Sequence, residues 1–193
     1  MTNNIISQLL SSFSNHYNTQ QDYHFAGETF AGYGEFHSRG EKYVLVKKAQ
    51  IWAVEAHDYL FIQYVPHLTA QMLQALIVLL QTQGIQKVKP HSEHMQSSLT
   101  LIVLTDSVDD EALSVCRKTK FHKLFRFGWY GWADLRLAVL EKNAQTVITN
   151  RAGKDLSQFL TRFLTTERNH CKISRCECIS RRSSTGIEDI TNS

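Results

Sequence analysis

This chain has no long apolar run. Its longest is "ALIVLL", Ala75 to Leu80, far short of the ~20 residues that a bilayer-spanning helix needs. Its first residues, "MTNNIISQLL", carry no positive charge ahead of their apolar groups, so they do not read as a secretory signal. Cysteine is scarce and unevenly spread: of four, Cys171, Cys176 and Cys178 crowd into the last part of the chain and Cys116 stands alone. A secreted disulfide framework distributes its cysteines across the fold. The expectation is therefore a soluble, cytoplasmic protein with reduced thiols and no membrane partner. Proline is nearly absent, with Pro66 and Pro90 the only two. A strong charge of one sign is missing as well. The net charge of +3 permits contact with a polyanion but does not demand it.

What is present is an ordinary globular composition, 42% hydrophobic and 20% charged over 193 residues. Such a chain can bury a core without disulfide or metal staples. Ile5, Leu9 and Phe13, with Ile6, Leu10 and Tyr17, repeat at helical spacing. A polar linker is expected at 18–22. Aromatic and β-branched residues then dominate, and three antiparallel strands are expected at roughly 26–37, 42–55 and 58–65. Their turns would be "SRGEK", 38–42, and "EAHD", 55–58. A helix follows Pro66, with Thr69 as N-cap and Gly84 as C-cap. Residues 86–98 read as a loop, and "LTLIVL", 99–104, as a strand covered on both faces.

"DSVDDEALSVCRK" opens with acids and ends with bases, as a helix dipole favours. "KFHKLFRFG" and "WADLRLAVLEK" read as a hairpin joined through "GWYG". Phe121, Phe125 and Phe127 share one of its faces and point to the core. "TVIT" adds a short strand, and Leu156, Phe159, Leu160, Phe163 and Leu164 line one face of a last helix. The fold class is α+β (mixed α/β), in the order α-βββ-α-β-α-ββ(β)-α. One domain is expected over 1–165, with a loosely attached tail at 166–193.

Several residue groups are candidates for chemistry. Glu28, Glu35, Glu41, Glu55 and Asp58 are the carboxylates of the meander, with Lys42, Lys47 and Lys48 nearby. Acids and lysines alternating out of a half-buried sheet are usually just solvated. "HSEH", His91 to His94, has the spacing of paired zinc ligands. It lies in a loop without Cys-x-x-Cys knuckles, so no resident metal is expected there. Cys116 reads as a core thiol. Lys120, Lys123 and Arg126 form a basic rim beside Trp129, Tyr130 and Trp132, a mixture that suits phosphate contact and base stacking. "TNRAGKDL" is no Walker loop, but Arg151 and Lys154 at a helix start suit an anion.

The stretches "GYGEFHSRGEKYVLVKKAQIWA", "FRFGWYGWADLRLAVLE" and "TNRAGKDL" together resemble an uncharacterised bacterial family known only as a domain of unknown function, over roughly residues 20–165. That resemblance implies no activity. The element order is also similar to that of the PD-(D/E)XK nuclease superfamily. The likeness implies acids on adjacent strands, Mg²⁺ or Mn²⁺ as cofactor, and a lysine near the attacking water. The chain departs from that family's pattern, because no meander acid is followed two positions later by lysine.

Two functions follow as expectations. The first is a non-catalytic interaction module that meets an unknown protein partner, without cofactor, through the turn Trp129 to Trp132. The second is a metal-dependent nuclease-like protein, or a degenerate form of one, that binds nucleic acid and uses Glu28, Glu35 or Glu55 with Lys47 or Lys48.

Overall fold

The structure is a computed structural model and describes residues 2–42 and 52–166. Helix α1 (Thr2–Phe13) leads into strands β1 (Asn18–Phe25), β2 (Glu28–Lys42) and β3 (Trp52–Leu68). Helix α2 (Ala70–Thr82) and a 3-10 turn (Gly84–Lys87) precede β4 (His94–Val108). Next come α3 (Asp110–Lys118), β5 (His122–Leu124), a second 3-10 turn (Arg126–Gly128), β6 (Trp132–Glu141) and β7 (Thr146–Thr149). A last helix, α4, spans 154–166. The fold is α+β, in the element order that periodicity predicts. No described helix is long and apolar enough to cross a membrane.

The strands form one mixed sheet in the order β1-β2-β3-β4-β6-β5, with β7 also on β6. The meander β1-β2-β3 is antiparallel. β3, β4 and β6 run parallel, because α2 and α3 carry the chain back between them. Alternate residues of these central strands point to opposite faces. Phe61, Leu99, Leu101, Leu135 and Leu137 join a core with Leu73, Ile77 and Leu80 of α2 and Ala112 and Cys116 of α3. Leu60, Ile62, Ile102, Leu104 and Leu140 join a second core with Leu9 and Leu10 of α1 and Leu156, Leu160 and Leu164 of α4. Two-sided cover explains why "LTLIVL" is a continuous apolar run.

Burial pushes the Cys116 thiol up to about 11, which keeps it an inert core group. Thr69 caps α2 as expected, its Oγ1 accepting from Met72 N. Gly84 opens the 3-10 turn instead of capping the helix, a role that falls to Gln83.

Several expected boundaries are corrected. The polar stretch 18–22 belongs to β1, an edge strand whose first residues are exposed and held by backbone pairing. "SRGEK" lies within β2, and "EAHD" within β3 with His57 opposite His37. Residues 43–51, with Lys47 and Lys48, lie outside the described residues, as does most of the expected tail. Phe127 is 98% exposed, not core. The chain leaves strand geometry after Leu124, and Arg126 and Phe127 both take positive φ in a tight turn.

Asn150 splices the edge of β6. β5 pairs with residues 132–134 and β7 with 138–141, which leaves a gap at 135–137. The buried Asn150 side chain fills it, accepting from Leu137 N and donating to Leu135 O. The same amide accepts from Gly153 N and donates to Thr119 O. A Cβ on Gly153 would sit 2.7 Å from Leu137 O, so only glycine lets α4 start this close. Asn150→Ala orphans these backbone groups and is expected to cost about 3 kcal/mol. Urea unfolding of the variant checks this, and a loss below about 1 kcal/mol would mean water replaces the amide.

Candidate metal centre

The two meander strands each carry the pattern Glu-x-His: "EFH" at 35–37 and "EAH" at 55–57. Antiparallel register sets His37 directly opposite His57. Residues two apart share a face, so Glu35, His37, Glu55, His57 and Tyr59 all reach the α2 side of the sheet. There they line a cleft of about 590 Å³ together with Lys87, at the end of the 3-10 turn, and Lys89 and His91 beyond it. Tyr59 ties that segment down by donating to Lys87 O at 3.1 Å.

Within the cleft, Glu55, His57 and His91 each offer one ligand atom, all within 4.8 Å of one another. His91 Nε2 is 3.0 Å from Glu55 Oε2, and His57 Nε2 is 3.7 Å from the same oxygen. Donors held at ~2.0–2.1 Å around a tetrahedral ion lie roughly 3.4 Å apart. The two spacings to Glu55 bracket that value, and the His57 and His91 donors lie within 4.8 Å of each other. Burial, and after it the neighbouring His37 and His94, hold the His57 imidazole below its ordinary value. At neutral pH its ring nitrogen is therefore available as a lone pair.

A further shell orients this set. His57 Nδ1 meets His37 Nδ1 at 2.5 Å. If His57 Nε2 faces a cation, its Nδ1 carries the proton and donates to His37. His37 Nε2 then turns its own proton toward Glu35 Oε2, 3.6 Å away. Such carboxylate–histidine chains fix ligand tautomers. Burial would raise the Glu35 carboxyl, but hydrogen bonds from Tyr33 and from Lys87, at 3.1 Å, outweigh it and hold the group below its ordinary range. The Lys87 ammonium also stands 4.8 Å from the Tyr33 ring centroid.

His91 and His94 divide. His94 donates from Nδ1 to Tyr130 O at 2.6 Å and accepts at Nε2 from Ser97 Oγ at 2.9 Å. Both its nitrogens are used, and it stacks on His57 at 5.8 Å. It packs on His57 and has no nitrogen left to join Glu55, His57 and His91. Gly131, at φ +73°, lies so close beneath β4 that a Cβ would meet Met95 O at 2.1 Å.

A second cleft, of about 440 Å³, opens on the opposite face around Lys120, His122, Arg136, Arg151 and Asp155. Most of its charges are paired with one another. His122 meets Asp134 at 2.7 Å, and Arg136 bridges Asp58 at 2.9 Å and Asp155 at 2.6 Å. Tyr17 and Thr100 also donate to Asp58, each at 2.8 Å. Burial pushes the Asp58 carboxyl up, and Arg136 with these two hydroxyls opposes the push. This cluster ties the turn after α1 and the start of α4 to the sheet.

The expected site residues separate accordingly. Glu35 and Glu55 line the first cleft together. Glu28 is exposed at the start of β2, roughly 23 Å along the strand from Glu35. Arg151 and Lys120 reach the second cleft, which Lys154 does not line. Lys123 stands over Phe125 and Arg126 over Tyr130. Trp129 is 84% exposed, whereas Tyr130 and Trp132 are half-buried. The reading of the sequence missed His37, His57, Lys87 and Lys89. The doubled Glu-x-His was the available signal for the two histidines.

A family model described as "Domain of unknown function (DUF8052)" matches residues 1–162. No curated protein and no solved structure matches the chain significantly.

Proposed function

We propose that this chain, which belongs to the DUF8052 family, is a metal-binding domain that holds one divalent transition-metal ion, zinc foremost, on Glu55, His57 and His91. The observation that carries this is the convergence of their three donor atoms in a cleft. Two imidazoles and one carboxylate suit zinc, whereas magnesium prefers oxygen donors in an octahedron. Iron(II) accepts the same donor types, but zinc outranks it in intrinsic affinity. His91 Nδ1 accepts weakly from Glu93 N at 3.3 Å, which places the ring proton on Nε2, toward Glu55. With Nε2 as a metal ligand that proton would sit on Nδ1, at the cost of the weak contact alone. Competition against a chromophoric zinc chelator tests the proposal. One zinc per chain is expected, and no competition would contradict it.

The aromatic turn favours a second reading, a protein-docking role. Phe127 and Trp129 project into solvent from a turn fastened by Gly128 N to Phe125 O and Tyr130 N to Phe125 O. Rings that pack on nothing of their own chain contribute little to its stability. Phe127→Ser with Trp129→Ser is expected to change stability by less than about 0.5 kcal/mol. A loss above about 2 kcal/mol in urea unfolding would make the turn a structural element and end this reading.

A further inference from the structure

We infer that the cleft beside the metal centre binds a phosphate monoester, held by the open position on the ion and by Lys89. The inference rests on the metal reading above and names the ligand class of that site. Three protein ligands leave a tetrahedral ion one free position, as in zinc sites that take up substrate. Glu55, His57 and His91 all line the cleft of about 590 Å³, a size that suits a small organic ligand.

The two lysines of the cleft differ in what they can offer. Lys87 is paired with Glu35 at 3.1 Å and packed over Tyr33, so its charge is already balanced. Lys89 is exposed, lines the same cleft, and has no ion pair or hydrogen bond among the described residues. It is held near the ion because His91, a proposed ligand, follows it by two residues across Pro90.

Charge then selects the ligand. Ligand imidazoles are neutral. The divalent ion and Lys89 bring positive charge, Glu55 removes part of it, and two positive charges remain. A phosphate monoester carries close to two negative charges at neutral pH. A carboxylate carries one and leaves the cleft unbalanced. The metal takes one phosphoryl oxygen, and the Lys89 ammonium donates to another.

The test uses the full chain with one equivalent of zinc, its zinc content measured before each titration. Inorganic phosphate and acetate are titrated by calorimetry into the zinc-loaded protein, the metal-free protein and zinc-loaded Lys89→Met. Phosphate is expected to bind zinc-loaded wild type at least about tenfold more tightly than either other form, and at least about tenfold more tightly than acetate. Equal phosphate binding by wild type and Lys89→Met, or acetate binding as well as phosphate, would overturn the inference. Zinc-loaded protein that ignores phosphate defeats this inference alone. Protein that retains no zinc defeats the metal reading, and the inference with it.

Discussion

Replacing Arg136 by Met is expected to destabilise the domain by about 3–5 kcal/mol. The Arg136 side chain is only 16% exposed and Asp58 only 12%, and Arg136 also reaches Asp155 of α4. Removing the guanidinium strands a buried carboxylate with two hydroxyl donors, Tyr17 and Thr100. Those donors do not replace a full charge. Asp58 responds by holding its proton, because burial already pushes its carboxyl up and Arg136 is the main opposing influence.

The sign of the pH dependence follows from that shift. An acid whose folded pKa lies above its unfolded one costs stability above the folded pKa, and the cost vanishes below the unfolded pKa. The deficit of Arg136→Met relative to wild type should therefore shrink as pH falls from 7 toward 4. Urea unfolding at several pH values measures it. A deficit below about 1 kcal/mol at pH 7, or one that grows in acid, would contradict the account. Replacing both partners, Asp58→Leu with Arg136→Met, is expected to recover much of the loss, since no orphaned charge remains.

Zinc affinity is expected to fall by at least about 100-fold in His91→Ala or His57→Ala. Each removes one of three protein donors. His94 is committed to Tyr130 O and Ser97 Oγ and substitutes for neither, and in His91→Ala His37 is still held against His57. His94→Ala is expected to lose only about tenfold, because it removes the ring that packs on His57 and no ligand. This graded order separates a built centre from adventitious histidine binding, in which every histidine would count alike. His91 lies in a partly exposed segment, so metal-free His91→Ala should keep the wild-type stability within about 0.5 kcal/mol. Chelator competition on the metal-free and reloaded variants gives both readouts. Equal losses for His91→Ala and His94→Ala would argue against the assignment.

Much of the fold was legible because its elements obey one period each. α2, α3 and the buried β4 show their burial patterns in the sequence, and Asn150 with Gly153 marks the strand-to-helix corner where the structure places it. The errors cluster where polar residues serve a site. Glu55 and His57 look like a turn because strands with one apolar face rarely carry two acids and a histidine within four residues; here Glu55 and His57 line one cleft and Asp58 belongs to the clamp on the other face. Phe127 was misplaced by parity, since two positive-φ residues end the strand before it.

The centre itself depends on long-range register. His37 meets His57 across a strand pair whose connection spans 43–51, and His91 arrives only after α2 and its 3-10 turn. Spacing alone paired His91 with His94, yet the start of β4 turns His94 toward the aromatic loop. The doubled Glu-x-His is a local pattern that antiparallel pairing turns into one cluster, and it gains meaning only once the two strands are known to be neighbours.

The most direct test of the metal centre is the visible absorption spectrum of the chain loaded with one equivalent of Co²⁺. Cobalt takes zinc's place and reports its own geometry: low-coordinate sites absorb strongly, and octahedral aqua ions absorb weakly. The account predicts an intense band that saturates at one Co²⁺ per chain, is displaced by Zn²⁺, and is lost in His57→Ala and His91→Ala. A spectrum no stronger than that of free aqueous Co²⁺, or one unchanged in those variants, would contradict it.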